Sequence, residues 1–101
     1  MSFETEGQTE DITIFGLDRP KRYKVLMHND DYTSMEFVVE VLTTIFRKSE
    51  AQAVQLMHKI HTEGYAVCGV YTMEIAETKV SQTIELARDN GFPLRCTMEE
   101  E

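Results

Sequence analysis

Hydrophobic and polar positions divide the chain into an aperiodic stretch followed by six periodic segments. Over residues 1–22 the few apolar residues, such as Ile12, Ile14, Phe15 and Leu17, follow no sustained repeat. Too little apolar surface is available there to offset the entropy of ordering, so a flexible N-terminal tail is expected, with Pro20 marking its junction to the folded part. Tyr23-Lys24-Val25-Leu26-Met27 is a β-prone run that stops at Asn29-Asp30-Asp31, which predicts a strand and its exit turn.

Thr33-Ser34-Met35-Glu36 then has the form of a capping box, with Thr33 as the cap and a helix beginning at Ser34. Phe37, Val38, Val41, Leu42, Ile45 and Phe46 recur behind it at helical spacing, and Arg47-Lys48 supply positive charge where the helix dipole ends negative. Ser49-Glu50-Ala51-Gln52 repeats the capping form. Ala53, Val54, Leu56, Met57 and Ile60 make the next stripe, and Gly64 is the stop. Residues 65–71 read as a second strand, in which Gly69 marks a bulge or a close backbone approach. Thr72 can cap a third helix with Ile75, Ala76, Val80, Ile84 and Ala87 on its inner face, ended by Asn90-Gly91 before Pro93. Residues 94–98 predict the last strand. The order β-α-α-β-α-β implies an α+β fold, a small antiparallel sheet of about three strands packed on one face by three helices. The chain is thus expected to divide into a tail, residues 1–22, and one core domain, residues 23–101.

Charge narrows the partners. Eighteen acidic against ten basic residues leave a net charge of −8, which repels a phosphate backbone and argues against nucleic acid. No run of 18 or more apolar residues occurs, and the start Met-Ser-Phe-Glu-Thr-Glu has neither the basic nor the apolar part of a signal peptide; a cytoplasmic protein without a membrane segment is expected. Cys68 and Cys96 are too few and too isolated for a disulfide framework or a zinc site.

The segment His28-Asn29-Asp30-Asp31-Tyr32-Thr33 places an amide and two carboxylates at a strand-to-helix junction, a frequent place for binding. Its plainer reading is a turn, because Asn and Asp tolerate tight backbone geometry and bond their own main chain. His61 lies beside the apolar stripe of the second helix, where a satisfied core histidine is the commoner explanation. His58 and His61 are spaced to share a metal, yet no third ligand is defined, and no cofactor is expected. Met27, Met35 and Met57 read as core filling, although methionine also lines pockets that accept several ligand shapes.

Four blocks in order resemble the ClpS adaptors: Asn29-Asp30-Asp31-Tyr32-Thr33-x-Met35-Glu36-Phe37-Val38; Ala53-x-x-Leu56-Met57-x-x-Ile60-His61; Cys68-Gly69-Val70-Tyr71-Thr72 with Glu74-x-Ala76-Glu77-Thr78-Lys79-Val80; and Pro93-Leu94-x-Cys96-Thr97-Met98-Glu99. The resemblance covers about residues 20–100. It implies an adaptor, not an enzyme, that binds proteins beginning with Leu, Phe, Tyr or Trp and delivers them to the ClpA unfoldase of the ClpAP protease. It places Asn29, Asp30 and His61 around the substrate's α-amino group, with Asp31 supporting the polar rim. Thr33, Met35, Val38, Met57, Ile60 and Leu94 would line the pocket for the first side chain, and Glu74 and Lys79 would dock on the ClpA N-terminal domain. The tail would project toward the unfoldase, and the adaptor would act as a monomer.

Three positions depart from the commoner pattern of these adaptors. Ser34 stands where proline is frequent, Ile60 replaces a valine, and His28 replaces an aliphatic residue. Two rival readings remain: an enzyme using Asp30 or Asp31 with His61, or Cys68 as nucleophile, and an interaction domain that docks on an unfoldase without recognising N-termini. The first lacks any nucleophile elbow, oxyanion loop or Gly-rich phosphate loop.

Overall fold

The computed structural model describes residues 20–101; the expected tail lies outside the described residues up to residue 19. Six elements follow in the predicted order: β1 (Arg22–His28), α1 (Met35–Thr44), α2 (Glu50–Glu63), β2 (Tyr65–Thr72), α3 (Met73–Asp89) and β3 (Arg95–Glu100). β1 starts one residue earlier than expected, since Arg22 already pairs with Thr72 and its carbonyl accepts from the Glu101 N–H at 2.8 Å. Likewise β3 runs to Glu100, opposite Tyr23, and leaves Leu94 outside the strand.

The strands form one antiparallel sheet in the order β2-β1-β3. Alternation sends Val25 and Met27 of β1, Ala66 and Cys68 of β2, and Cys96 of β3 to the face that the helices cover. All five are buried. α1 adds Phe37, Val38, Val41, Leu42 and the following Phe46; α2 adds Ala53, Met57 and Ile60; α3 adds Ala76 and Ala87. Leu26 points the other way and is still buried, among Lys24, Tyr65, Val67 and Glu99. Val25 faces Gly69 while Leu26 faces Val67, so Cys68 is the extra residue of a bulge. Gly69 also permits a close approach, because the Tyr71 phenol occupies the place a Cβ would take.

Local chemistry sets the helix ends, with three differences from the expected pattern. The cap of α1 is Ser34, whose hydroxyl accepts from the Phe37 N–H at 3.1 Å; Thr33 is already engaged by Asp30. At the other end of α1, Arg47 turns away with φ 57°, and the cation that reaches a terminal carbonyl is Lys79 of α3, which donates to the Ile45 oxygen at 2.6 Å. Ile75 is 49% exposed, because α3 buries the narrow line Ala76, Thr83 and Ala87, one residue round the helix from it. The second capping box holds in both directions, Ser49 with Gln52, and Gly64 closes α2 in the left-handed region. Thr72 precedes α3 as its cap residue without a side-chain bond to it.

Cys68 and Cys96 are free thiols on the two strands that flank β1. Two strand spacings, roughly 9–10 Å, separate such positions, whereas a disulfide needs Cα atoms within about 7 Å. Burial pushes the Cys68 thiol up to about 12 and the Cys96 thiol up to about 11.

Candidate functional site: a cavity between the β1 exit and two helices

Leaving β1, the chain is pinned at once: the Asn29 N–H donates to the Gly64 carbonyl at 2.9 Å, tying the strand exit to the end of α2. Asp30 then folds the loop on itself. Its Oδ1 accepts from the Tyr32 N–H at 2.8 Å and the Thr33 N–H at 2.7 Å, and its Oδ2 accepts from the Thr33 hydroxyl at 2.8 Å. Burial would raise this carboxyl, but the Thr33 hydroxyl and the two backbone N–H groups outweigh it and hold it below the ordinary carboxylate value. Ser34 then caps, and α1 starts at Met35.

These constraints leave a cavity of about 370 Å³ between the loop, α1 and α2. Its apolar wall is Val38 from α1 with Met57 and Ile60 from α2, all buried. Met35 stands on the first turn of α1, 46% exposed. The polar side is Asn29, Asp30, Asp31 and Thr33 from the loop and His61 from α2. Of the ten residues expected at this site, nine line the cavity, and Leu94 does not. Leu94 is buried in the core, just ahead of β3. Tyr32 and Ser34 also line the cavity, Tyr32 being 79% exposed. Their membership in the same loop was the available signal, since a segment folded tightly around Asp30 brings neighbours to one wall.

Two side-chain expectations change. His61 is exposed and not a core histidine, because Ile60 takes the inward position and the next residue lies about 100° further round α2. Met35 is likewise not core filling, whereas Met27 is fully buried and Met57 serves both core and cavity. Glu74 is exposed in the first turn of α3. Lys79, half-buried, is held by the Ile45 carbonyl and lies 5.8 Å from the Tyr71 ring centre. His28, next to Asn29 in sequence, makes a 2.8 Å bond with the Thr97 hydroxyl; burial, then the nearby Arg95 charge, lowers its pKa.

Chemically, the cavity offers acceptors and negative charge above an apolar wall. The two thiols lie elsewhere, buried and with raised pKa values, and a thiol in that state is a poor nucleophile. Among the described residues no three His, Cys, Asp or Glu side chains gather as a metal site. No described helix is long and apolar enough to cross a membrane.

The sequence model of one family, the ATP-dependent Clp protease adaptor protein ClpS, matches residues 18–97. The chain belongs to the ClpS family. It is 61% identical over 84 residues to an ATP-dependent Clp protease adapter protein ClpS of Oleidesulfovibrio alaskensis, covering 83% of this chain and 81% of that one. To the ClpS of Lawsonia intracellularis it is 55% identical over 97 residues, 96% and 89% of the two chains. A solved structure of Agrobacterium tumefaciens ClpS2 bound to L-phenylalaninamide is similar with a TM-score of 0.80 and 47% identity, across 82% of this chain and 100% of that one. Membership makes this chain a ClpS adaptor of a Clp protease, and the fold of the bound relative is its fold.

Proposed function

We propose that this ClpS chain captures proteins by a free N-terminus whose first residue is Leu, Phe, Tyr or Trp, and delivers them to the ClpA unfoldase of the ClpAP protease. The observation that carries the reading is the pairing of an apolar wall with an acceptor-rich rim in one cavity. An α-ammonium group brings one positive charge and three donors, so it needs several acceptors and no competing cation. Asn29, Asp31 and His61 offer acceptors on the side that Asp30 also lines, and Val38, Met57 and Ile60, with Thr33 and Met35, receive the side chain. L-phenylalaninamide, the ligand of the A. tumefaciens relative, is a minimal version of such an N-terminus: a free amine, a benzyl side chain and an amide.

Charge-assisted hydrogen bonds contribute about 1.5–3 kcal/mol each, and burying one large apolar side chain roughly 1.5–3 kcal/mol more. Set against lost translational freedom, the balance is a micromolar-class affinity, on the order that allows cargo to be passed on. Glu74, exposed on α3, and the neighbouring Lys79 belong in this reading to the face that meets the ClpA N-terminal domain, with the adaptor acting as a cytoplasmic monomer. The test is a titration with a Phe-starting peptide before and after acetylation of its amino group. Acetylation should abolish most binding while leaving the side chain intact; equal affinity for both peptides would refute the assignment.

A further inference from the structure

Asp30 is the most constrained polar group at the cavity. Both of its oxygens are committed within the chain: two backbone N–H groups on Oδ1 and the Thr33 hydroxyl on Oδ2, at 2.7 to 2.8 Å. A carboxylate has about four acceptor positions, so three are filled before any ligand arrives. All three donors belong to Tyr32 and Thr33, two residues that themselves line the cavity. Directly after this folded segment Ser34 caps α1, and Met35 enters on the first helical turn. One side chain thus sets the shape of the rim just ahead of the helix that carries Met35 and Val38. Asp31 next to it is exposed and lines the same cavity.

We infer that Asp30 is a positioning residue, serving N-terminus binding by folding residues 30–33 into the rim through its bonds to Tyr32 and Thr33 rather than by taking the ammonium itself. The inference rests on the proposed reading of the cavity. It separates two things that an acidic residue could supply, charge and shape. An asparagine at this position keeps one oxygen for the two backbone donors and offers an N–H₂ to the Thr33 hydroxyl, which can reverse its role from donor to acceptor. Alanine keeps neither.

The experiment titrates Phe-starting peptides, free and acetylated, against the wild type, Asp30→Ala and Asp30→Asn, and follows hydrogen exchange at the Tyr32 and Thr33 amides. Asp30→Ala should weaken the free peptide by at least about tenfold, with those two amides losing protection. Asp30→Asn should keep the amides protected and recover most of the affinity, remaining somewhat weaker than wild type for want of the charge. The ratio of free to acetylated binding should follow the same order, which a general loss of stability would not produce. An Asp30→Asn protein with protected amides and affinity as low as the alanine variant overturns the inference, because a rim of the right shape would then fail to bind without the carboxylate. If the alanine variant fails to fold, an Asp30→Asn protein with protected amides and a loss of about tenfold or more against the wild type overturns the inference. A wild type that does not distinguish the two peptides overturns the reading beneath it, whatever the variants do.

Discussion

Met35 is the residue on which selectivity should turn. It lines the cavity at 46% exposure on the first turn of α1, one turn before the buried Val38. An unbranched thioether there leaves room for the single methylene at Cβ of Leu, Phe, Tyr and Trp, and a β-branched Ile or Val would put a second carbon into it. Met35→Ala should admit Ile-starting peptides and weaken Leu-starting ones, so the Leu to Ile affinity ratio should fall by roughly tenfold, a steric penalty of about 1.4 kcal/mol removed. Titration of both peptides against both proteins checks it, and an unchanged ratio would remove Met35 from the specificity account. At this scale the sequence was informative about which residues meet and weaker on how each is used. Residue types allowed either a turn or a site at Asn29-Asp30-Asp31, and in the structure the turn built by Asp30 also lines a cavity. Thr33 and Ser34 are both cap-forming residues, and in the structure Ser34 takes the cap while the Thr33 hydroxyl donates to Asp30. Leu94, which only the family resemblance assigns to the pocket, lies in the core ahead of β3.

Between elements, the contact least visible in the sequence is the one from Lys79 to the Ile45 carbonyl, across 34 positions. An α-helix ends with unpaired carbonyls and partial negative charge, and Arg47-Lys48 were the local candidates to meet it. The left-handed turn at Arg47 carries them past the helix end, so α3 supplies the cation instead. Lys79→Met keeps the stem and removes the donor. It should lower unfolding stability by about 1–2 kcal/mol, the contribution of a charged hydrogen bond reduced by partial exposure to solvent. Denaturant unfolding measures this, and a loss below about 0.3 kcal/mol would mean that water serves the carbonyl equally well. The helices and their stripes were legible because their periodicity is local; the partner of a helix end depends on packing and was not. Ile75 makes the same point, since one residue's rotation separates it from the inner face, and packing buries Ala76 instead.

For the molecule as a whole, topology ties the two thiols to one cooperative unit. Cys68 and Cys96 are 1% and 4% exposed, on opposite sides of β1, and neither can ionise readily while buried. A thiol reagent at mildly alkaline pH should therefore modify both at a single slow rate that tracks global unfolding. Mass spectrometry of the partly labelled protein reads this directly: faster labelling of Cys96 would show that β3 leaves the sheet by itself. The order of elements was open to prediction from turn and capping signals, but the lateral order β2-β1-β3 was not, because nothing in a strand's own pattern names its neighbours. That order has a consequence for biosynthesis. β1 is made first among the strands yet lies in the middle, with His28 pairing to Tyr65 on one side and to Arg95 on the other. A growing chain can zip one flank once β2 is out, but the other stays bare until residues 95–100 follow. Any product that stops short of them carries an unmatched strand edge beside Val25 and Met27, which is a template for aggregation.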